Sequence, residues 1–114
     1  MKGDVVREFF LGFVAIHILH HAERGGFYGS WMMAELSRHG YRLGPGTLYP
    51  TLHTLEQHGY LRREAKVEGG RRRIYYVITP SGSRLLRTAR KRVGELVSEV
   101  EKTRGHPAAE AVEP

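Results

Sequence analysis

The sequence predicts a mainly α-helical chain with one small β-hairpin, and three observations carry that expectation. Apolar residues recur at helical spacing in the first sixty residues and again after Pro80. Between them "YLRREAKV" alternates apolar and charged residues, and "IYYVIT" is almost wholly β-branched or aromatic, as strands are. Glycines and prolines fall at the joints: Gly25-Gly26, Gly40, Gly44-Pro45-Gly46, Gly59, Gly69-Gly70 and Pro80.

At 114 residues the chain is long enough for one domain with a modest core. Lys plus Arg number 18 against 12 acidic residues, a formal charge of +6. The first 59 residues are balanced, so the excess lies in the hairpin and the last helix. Positive charge concentrated in that way points to an anionic partner, nucleic acid first. No cysteine is present, which excludes disulfides, thiolate-bound zinc and thiol catalysis, and fits a reducing cytosol. The apolar run "FFLGFVAIHIL" is half a membrane span, is interrupted by His17, and lacks a basic lead-in or cleavage site. A soluble, cytoplasmic protein with no membrane partner is expected. Catalytic patterns are missing: "GPG" at 44–46 reads as a turn, and no Ser-His-acid set or carboxylate pair stands in a recognisable context. The expectation is a non-enzyme that requires no cofactor.

The elements follow in order. A first helix runs from about Val5 to Ala22, with Val5, Val6, Phe9, Phe10, Phe13, Ile16 and Leu19 as its core face. Leu11, Val14, Ala15 and Ile18 leave little polar surface, so the helix should be buried on a second side, against another subunit. After Gly25-Gly26, "YGSWMMAELSRHG" gives a second helix with Ser30 as candidate cap and Met32, Met33 and Leu36 inward. In the third, Thr47 is the candidate N-cap, which places Pro50 among the first-turn amides that have no partner; Leu48, Leu52 and Leu55 face the core, and Gly59 ends it. The short second-to-third connection reads as helix-turn-helix. The hairpin turns at Glu68-Gly69-Gly70. In the last helix Leu86, Val93 and Val100 fall seven apart with Ala89 and Leu96 between them, a seam too short to stand alone. The whole is a winged helix-turn-helix over 1–79, a C-terminal dimerisation helix over 80–104 and a frayed tail over 105–114.

"PGTLYPTLHTLEQHGYL" followed by "EGGRRRIYYVITPSG" resembles the signature of PadR-type transcriptional regulators, and the likeness extends over nearly the whole chain. The length is similar to the small class with one C-terminal helix. The resemblance implies a homodimer that represses transcription and releases DNA when a small ligand binds. One departure stands out. Members of this family often carry His-Gly-Tyr-Glu at the head of the second helix, where this sequence has Tyr28-Gly29-Ser30-Trp31. The tyrosine that touches backbone phosphate is missing at position 30, leaving Ser30 or Tyr28 to take its part.

Candidate site residues follow. The outer face of the third helix carries hydroxyls and imidazoles rather than charge, as suits a DNA groove; Thr47, Tyr49, Thr51 and His53 are placed at double-stranded DNA. Tyr49 has the alternative of packing inward and lending only its hydroxyl. Arg71, Arg72 and Arg73 have no acidic neighbour at the wing tip and are assigned to phosphate or minor groove, with Lys66 beside them. Strand alternation allows only two of the three arginines to point one way; Arg62 and Arg63 are expected as flank charges. The subunit face is assigned to Phe9, Phe10 and Phe13 with Leu86, Val93, Leu96 and Val100. His17, His20 and His21 lie on one helix face and are either a transition-metal site, with Glu23 or His106 completing it, or core-edge and solvated histidines. An aromatic or cationic effector is expected between the first and last helices, against the phenylalanines, with His17 and His21 at the rim. The rival reading is a winged-helix module that binds protein.

Overall fold

The structure is a computed structural model, and it describes residues 2–102, with side chains from Val5 onward. In chain order it contains α1 (Lys2–Glu23), β1 (Phe27–Tyr28), α2 (Gly29–Arg38), α3 (Pro45–Gln57), β2 (Leu61–Glu68), β3 (Arg71–Ile78) and α4 (Pro80–Glu101). The tail from 105, including His106, lies outside the described residues. The fold is a winged helix-turn-helix with a long C-terminal helix, as the sequence predicts.

One strand was not anticipated. β1 pairs antiparallel with β3, Phe27 opposite Tyr76 and Tyr28 opposite Tyr75, so the sheet has three strands in the order β1-β3-β2. Two residues are too few to show a period, which is why the pattern gave no sign of it. β2 and β3 pair along their full length, from Leu61 opposite Ile78 to Glu68 opposite Arg71. Gly69 and Gly70 make the turn with φ of 55° and 77°, the left-handed region that other residues resist.

The core is one cluster: Val14, Ile18, Leu19 and Ala22 of α1 meet Phe27, Met32, Leu36, Leu48, Leu52, Leu61, Tyr76 and Leu86. The core face of α1 is therefore not the one expected. Val5, Val6, Phe9 and Phe10 are each more than half exposed, while Val14 and Ile18 are fully buried. A helix apolar on all sides gives a periodicity argument no way to choose between its faces. Leu86, assigned from its heptad position to the subunit face, is fully buried in the chain's own core. In the single chain it offers that face no surface.

Helix starts also differ in detail. Gly44 caps α3 without a side-chain bond, Pro45 opens it, and Pro50 lies inside it. Thr47 is thus a helical residue, not the cap. The loss of one amide at Pro50 is tolerated beside two threonine bonds to the backbone, Thr51 Oγ1 donating to Thr47 O (2.8 Å) and Thr54 Oγ1 to Pro50 O (3.0 Å). Tyr28 takes the N-cap position of α2 and Ser30 follows inside the helix. α4 starts from a side-chain cap: Thr79 Oγ1 accepts from Gly82 N at 3.0 Å, with Pro80 in the first turn. A Cβ at Gly82 would collide with the Tyr60 carbonyl, so glycine there lets α4 sit tightly on the end of the sheet.

Candidate nucleic-acid interface

Where the head of α2, the first turns of α3 and the wing approach one another they leave an open cleft of about 530 Å³. Tyr28, Gly29 and Ser30 form one wall and Tyr49 another. Arg63, Arg71 and Arg73 supply its charge, over a floor of Ile74 and Tyr76. β1 ends at Tyr28, so among the described residues no strand pairs with the edge of β3 beside Arg73 on that side, and it stays open to a ligand.

Strand geometry sorts the arginines. Arg71 and Arg73 reach the cleft, while Arg72 lies opposite Val67 and does not line it. All three stand in β3 itself rather than in the turn. The Arg73 guanidinium lies 4.1 Å from the Tyr28 ring centre, a cation–π contact that holds its angle. Lys66, opposite Arg73, rests 4.6 Å from the Tyr75 ring, and Tyr75 donates to Glu68 at 2.7 Å. That bond to Glu68 is the main reason the Tyr75 hydroxyl titrates above its ordinary range. Burial raises Tyr76 likewise, so on the cleft floor it stays a neutral hydrogen-bond donor.

Arg63, expected only as a flank charge, lines the cleft, and its Nε donates to Glu56 on α3 at 2.8 Å. Arg62 turns to Glu64. Tyr49 packs inward and yet stays accessible. Its ring packs on Gly29, where any Cβ would overlap the hydroxyl, and the residue is still 42% exposed at the cleft wall. Thr47 and Thr51 are half-buried, and Thr51 has already given its proton to the helix, so it can only accept. His53 is exposed on the outer face of α3 and lies outside the cleft lining.

The His20 and His21 rings meet edge to face at 4.9 Å, but the three histidines take different partners. His20 Nδ1 accepts from Arg90 of α4 at 3.1 Å, and that arginine also reaches Glu23 at 3.3 Å. His21 approaches Glu35 at 3.5 Å, and the His17 ring lies against His39 and Tyr41. Among the described residues no group of three or more His, Asp or Glu is arranged to hold a metal ion. What the sequence missed is Glu35, only 8% exposed, which binds Arg38 at 2.7 Å and His39 at 3.0 Å. The hydrogen bond to His39 is the largest influence holding its carboxyl below the usual range, with Arg38 reinforcing it. His17 and His21 are lowered, first by burial and then by neighbouring imidazoles.

Residues 18–88 match the model of the transcriptional regulator PadR-like family, most of the described chain. The chain belongs to the PadR-like family. It is 48% identical over 103 residues to Transcriptional regulator Rv3488 of Mycobacterium tuberculosis, which covers 90% of this chain and 96% of that one. A PadR family regulator from Eggerthella lenta is similar in structure, with a TM-score of 0.67 at 30% identity over 89% of this chain and 93% of the other. A PadR-like regulator from Bacillus cereus shares the fold, with a TM-score of 0.77 at 24% identity over 83% and 94%. This PadR-like chain is a transcriptional regulator and not an enzyme. By length and composition Val5–Glu23 could cross a membrane, but its C-terminal half is built into the core of the regulator fold.

Proposed function

We propose that the chain is a homodimeric, ligand-responsive repressor that grips double-stranded DNA with the cleft and α3. The observation that carries the reading is the cleft itself. Arg63, Arg71 and Arg73 and the hydroxyls of Tyr28, Ser30, Tyr49 and Tyr76 surround one opening, beside amides at the head of α2 that no helix bond uses. Those groups suit backbone phosphate. Tyr28 and Ser30 together take the part of the tyrosine that this sequence lacks at position 30. The exposed polar face of α3, with His53, then meets base edges, and Lys66 extends the charge along the wing.

Self-association is proposed from the apolar surface left bare. Val5, Val6, Phe9 and Phe10 of α1 and Leu96, Val97 and Val100 of α4 are 46–64% exposed, more apolar surface than isolated residues leave, and this supports a contact there. Phe13 and Val93 line a groove between α1 and α4 of one chain, so they border the subunit face rather than form it. A two-fold pair would set the α3 heads about 34 Å apart, one DNA turn, for a palindromic site. Such a protein works where the chromosome is, in the cytoplasm.

The test is selection of bound duplexes from a random-sequence pool by the full chain, followed by titration of the selected site against salt. A palindrome bound by two chains, with affinity falling steeply as salt rises, is the expected result. Recovery of no preferred sequence and no salt dependence would favour the protein-binding module instead.

A further inference from the structure

The groove between α1 and α4 encloses about 240 Å³. Its walls are hydrocarbon, from Phe13 and Ile16 on α1 and Leu86 and Val93 on α4. The polar residues that line it are Arg90, His20 and His17. An arginine can only donate, so the 3.1 Å bond between Arg90 and His20 Nδ1 fixes the tautomer with the proton on Nε2. The His20 Nε2–H remains as a donor. Burial first, then neighbouring imidazoles, keep His17 lowered and therefore neutral near pH 7. Among the described residues no carboxylate lines the groove. The nearest is Glu23, 3.3 Å from Arg90 Nη1, and it shows what Arg90 binds. A guanidinium has five N–H groups, so one carboxylate leaves room for a second.

We propose that the groove takes a short apolar carboxylic acid, its carboxylate on Arg90 and His20 Nε2–H and its hydrocarbon against Phe13, Ile16, Leu86 and Val93. The proposal rests on the ligand-responsive reading above and names the ligand's chemistry. It reverses the charge expected of the effector from the sequence. A cationic head here would face a guanidinium with no free carboxylate to offset it. At a liquid-like share of about 30 Å³ for each heavy atom the groove holds roughly eight of them. That is the size of hexanoate, with octanoate slightly longer and able to extend out of the open end. Because α1 and α4 both carry the bare apolar surface, a molecule wedged between them changes the relation of the two helices to the second subunit.

Calorimetric titration of the full chain with sodium octanoate at pH 7.5, and with octylamine as the matched cation, tests it. Octanoate should bind saturably and at least tenfold more tightly than octylamine. Arg90→Gln should lose tenfold or more in octanoate affinity, and Arg90→Lys should recover part of it. Methyl resonances of Ile16, Leu86 and Val93 in the unsubstituted chain should shift with octanoate, a readout that needs no variant to fold. Octylamine binding equal to octanoate, unchanged binding by Arg90→Gln, or no saturable binding at all would each overturn the proposal. The last is also the outcome if a second copy fills the groove. Operator binding is measured without added acid, so failure here leaves the DNA reading standing, and loss of operator binding leaves this one standing.

Discussion

The cleft and the outer faces of α1 and α4 differ in what they leave unfinished. In the cleft several groups already have a local support: Arg73 on Tyr28, Arg63 on Glu56, Tyr49 on Gly29. It is polar, held open by short-range contacts within one chain, and needs only an anion. The faces of α1 and α4 are the reverse. Phe9 and Phe13 meet edge to face at 5.1 Å, yet Phe9 remains 64% exposed and nothing among the described residues covers it. A surface arranged to hold a charged partner can be complete before the partner arrives. An apolar one is completed only by being covered, because exposed hydrocarbon loses about 25 cal/mol for every Å² left in water.

Substitutions can separate the two regions. The largest effect should come from neither surface. Leu86→Ala opens a cavity in the core and should cost ~2–5 kcal/mol of folding stability, measured by urea denaturation; a loss below 1 kcal/mol would return Leu86 to the subunit face. Next comes Leu96→Asp with Val100→Asp. A desolvated carboxylate costs several kcal/mol, so self-association should weaken about a hundredfold or more while the monomer stays folded. Sedimentation across a concentration series checks it, and an unchanged dimer would place the contact elsewhere.

On the cleft side, Gly29→Ala should push Tyr49 from its seat and lower operator affinity about tenfold, a change of ~1.4 kcal/mol, with the helical circular dichroism preserved. Equal affinity would mean that Tyr49 contributes nothing to DNA contact. Arg71→Ala with Arg73→Ala should weaken all sequences alike and reduce the slope of log affinity against log salt by about two units, near 0.9 for each phosphate contact. Arg72→Ala, from the other side of β3, should change that slope less than either. If it matters as much, strand alternation is not what sorts the wing arginines.

The smallest effect concerns acid. His17 and His21 are held below the ordinary value of 6.5, so the unfolded chain takes up their protons first. Their contribution is full above that value and is lost as pH falls from it toward the lower folded values. The carboxyl of Glu35 is lowered from 4.5, so what it adds is present above that value and disappears only as pH falls through its folded one. Chemical denaturation from pH 8 down to about pH 2 should show two successive declines, the second only below 4.5. His17→Gln with His21→Gln should flatten the first and keep the second; a first decline of undiminished size would assign it to other groups.

The difference between the regions also decides what could be read before folding. The helix-turn-helix and wing are local: Leu48 and Leu52 at helical spacing, a Gly-Gly turn, a run of β-branched and aromatic residues. So is the sorting of Arg71 and Arg73 from Arg72, because strand alternation needs only the period. Arg63 escaped notice because its place in the cleft depends on register with Tyr76 across the hairpin and on Glu56 seven residues earlier. β1 was invisible for want of length. On α1 the pattern revealed that two sides must be covered but not which one the chain's own core would take, since Phe9 and Val14 are equally apolar. Leu86 fits a heptad and a core alike, and only the position of α4 on the sheet distinguishes them. Glu35 illustrates the converse: an acidic residue on a polar helix face gave no hint that Arg38 and two imidazoles would enclose it.

Trp31 is the single tryptophan of the chain, and its ring lies 5.2 Å from that of His21. It follows Ser30, which lines the cleft, and stands one helical turn before Glu35. Its indole is therefore a label already installed where the cleft-lining head of α2 meets the imidazoles of α1. A protonated imidazole quenches indole emission by drawing off the excited electron, and a neutral one does so far less. The brightness of this one residue under ultraviolet light thus reports the state of His21, while a shift in its colour reports a change of surroundings at the head of α2. No dye, tag or substitution is needed to follow both in a single cuvette.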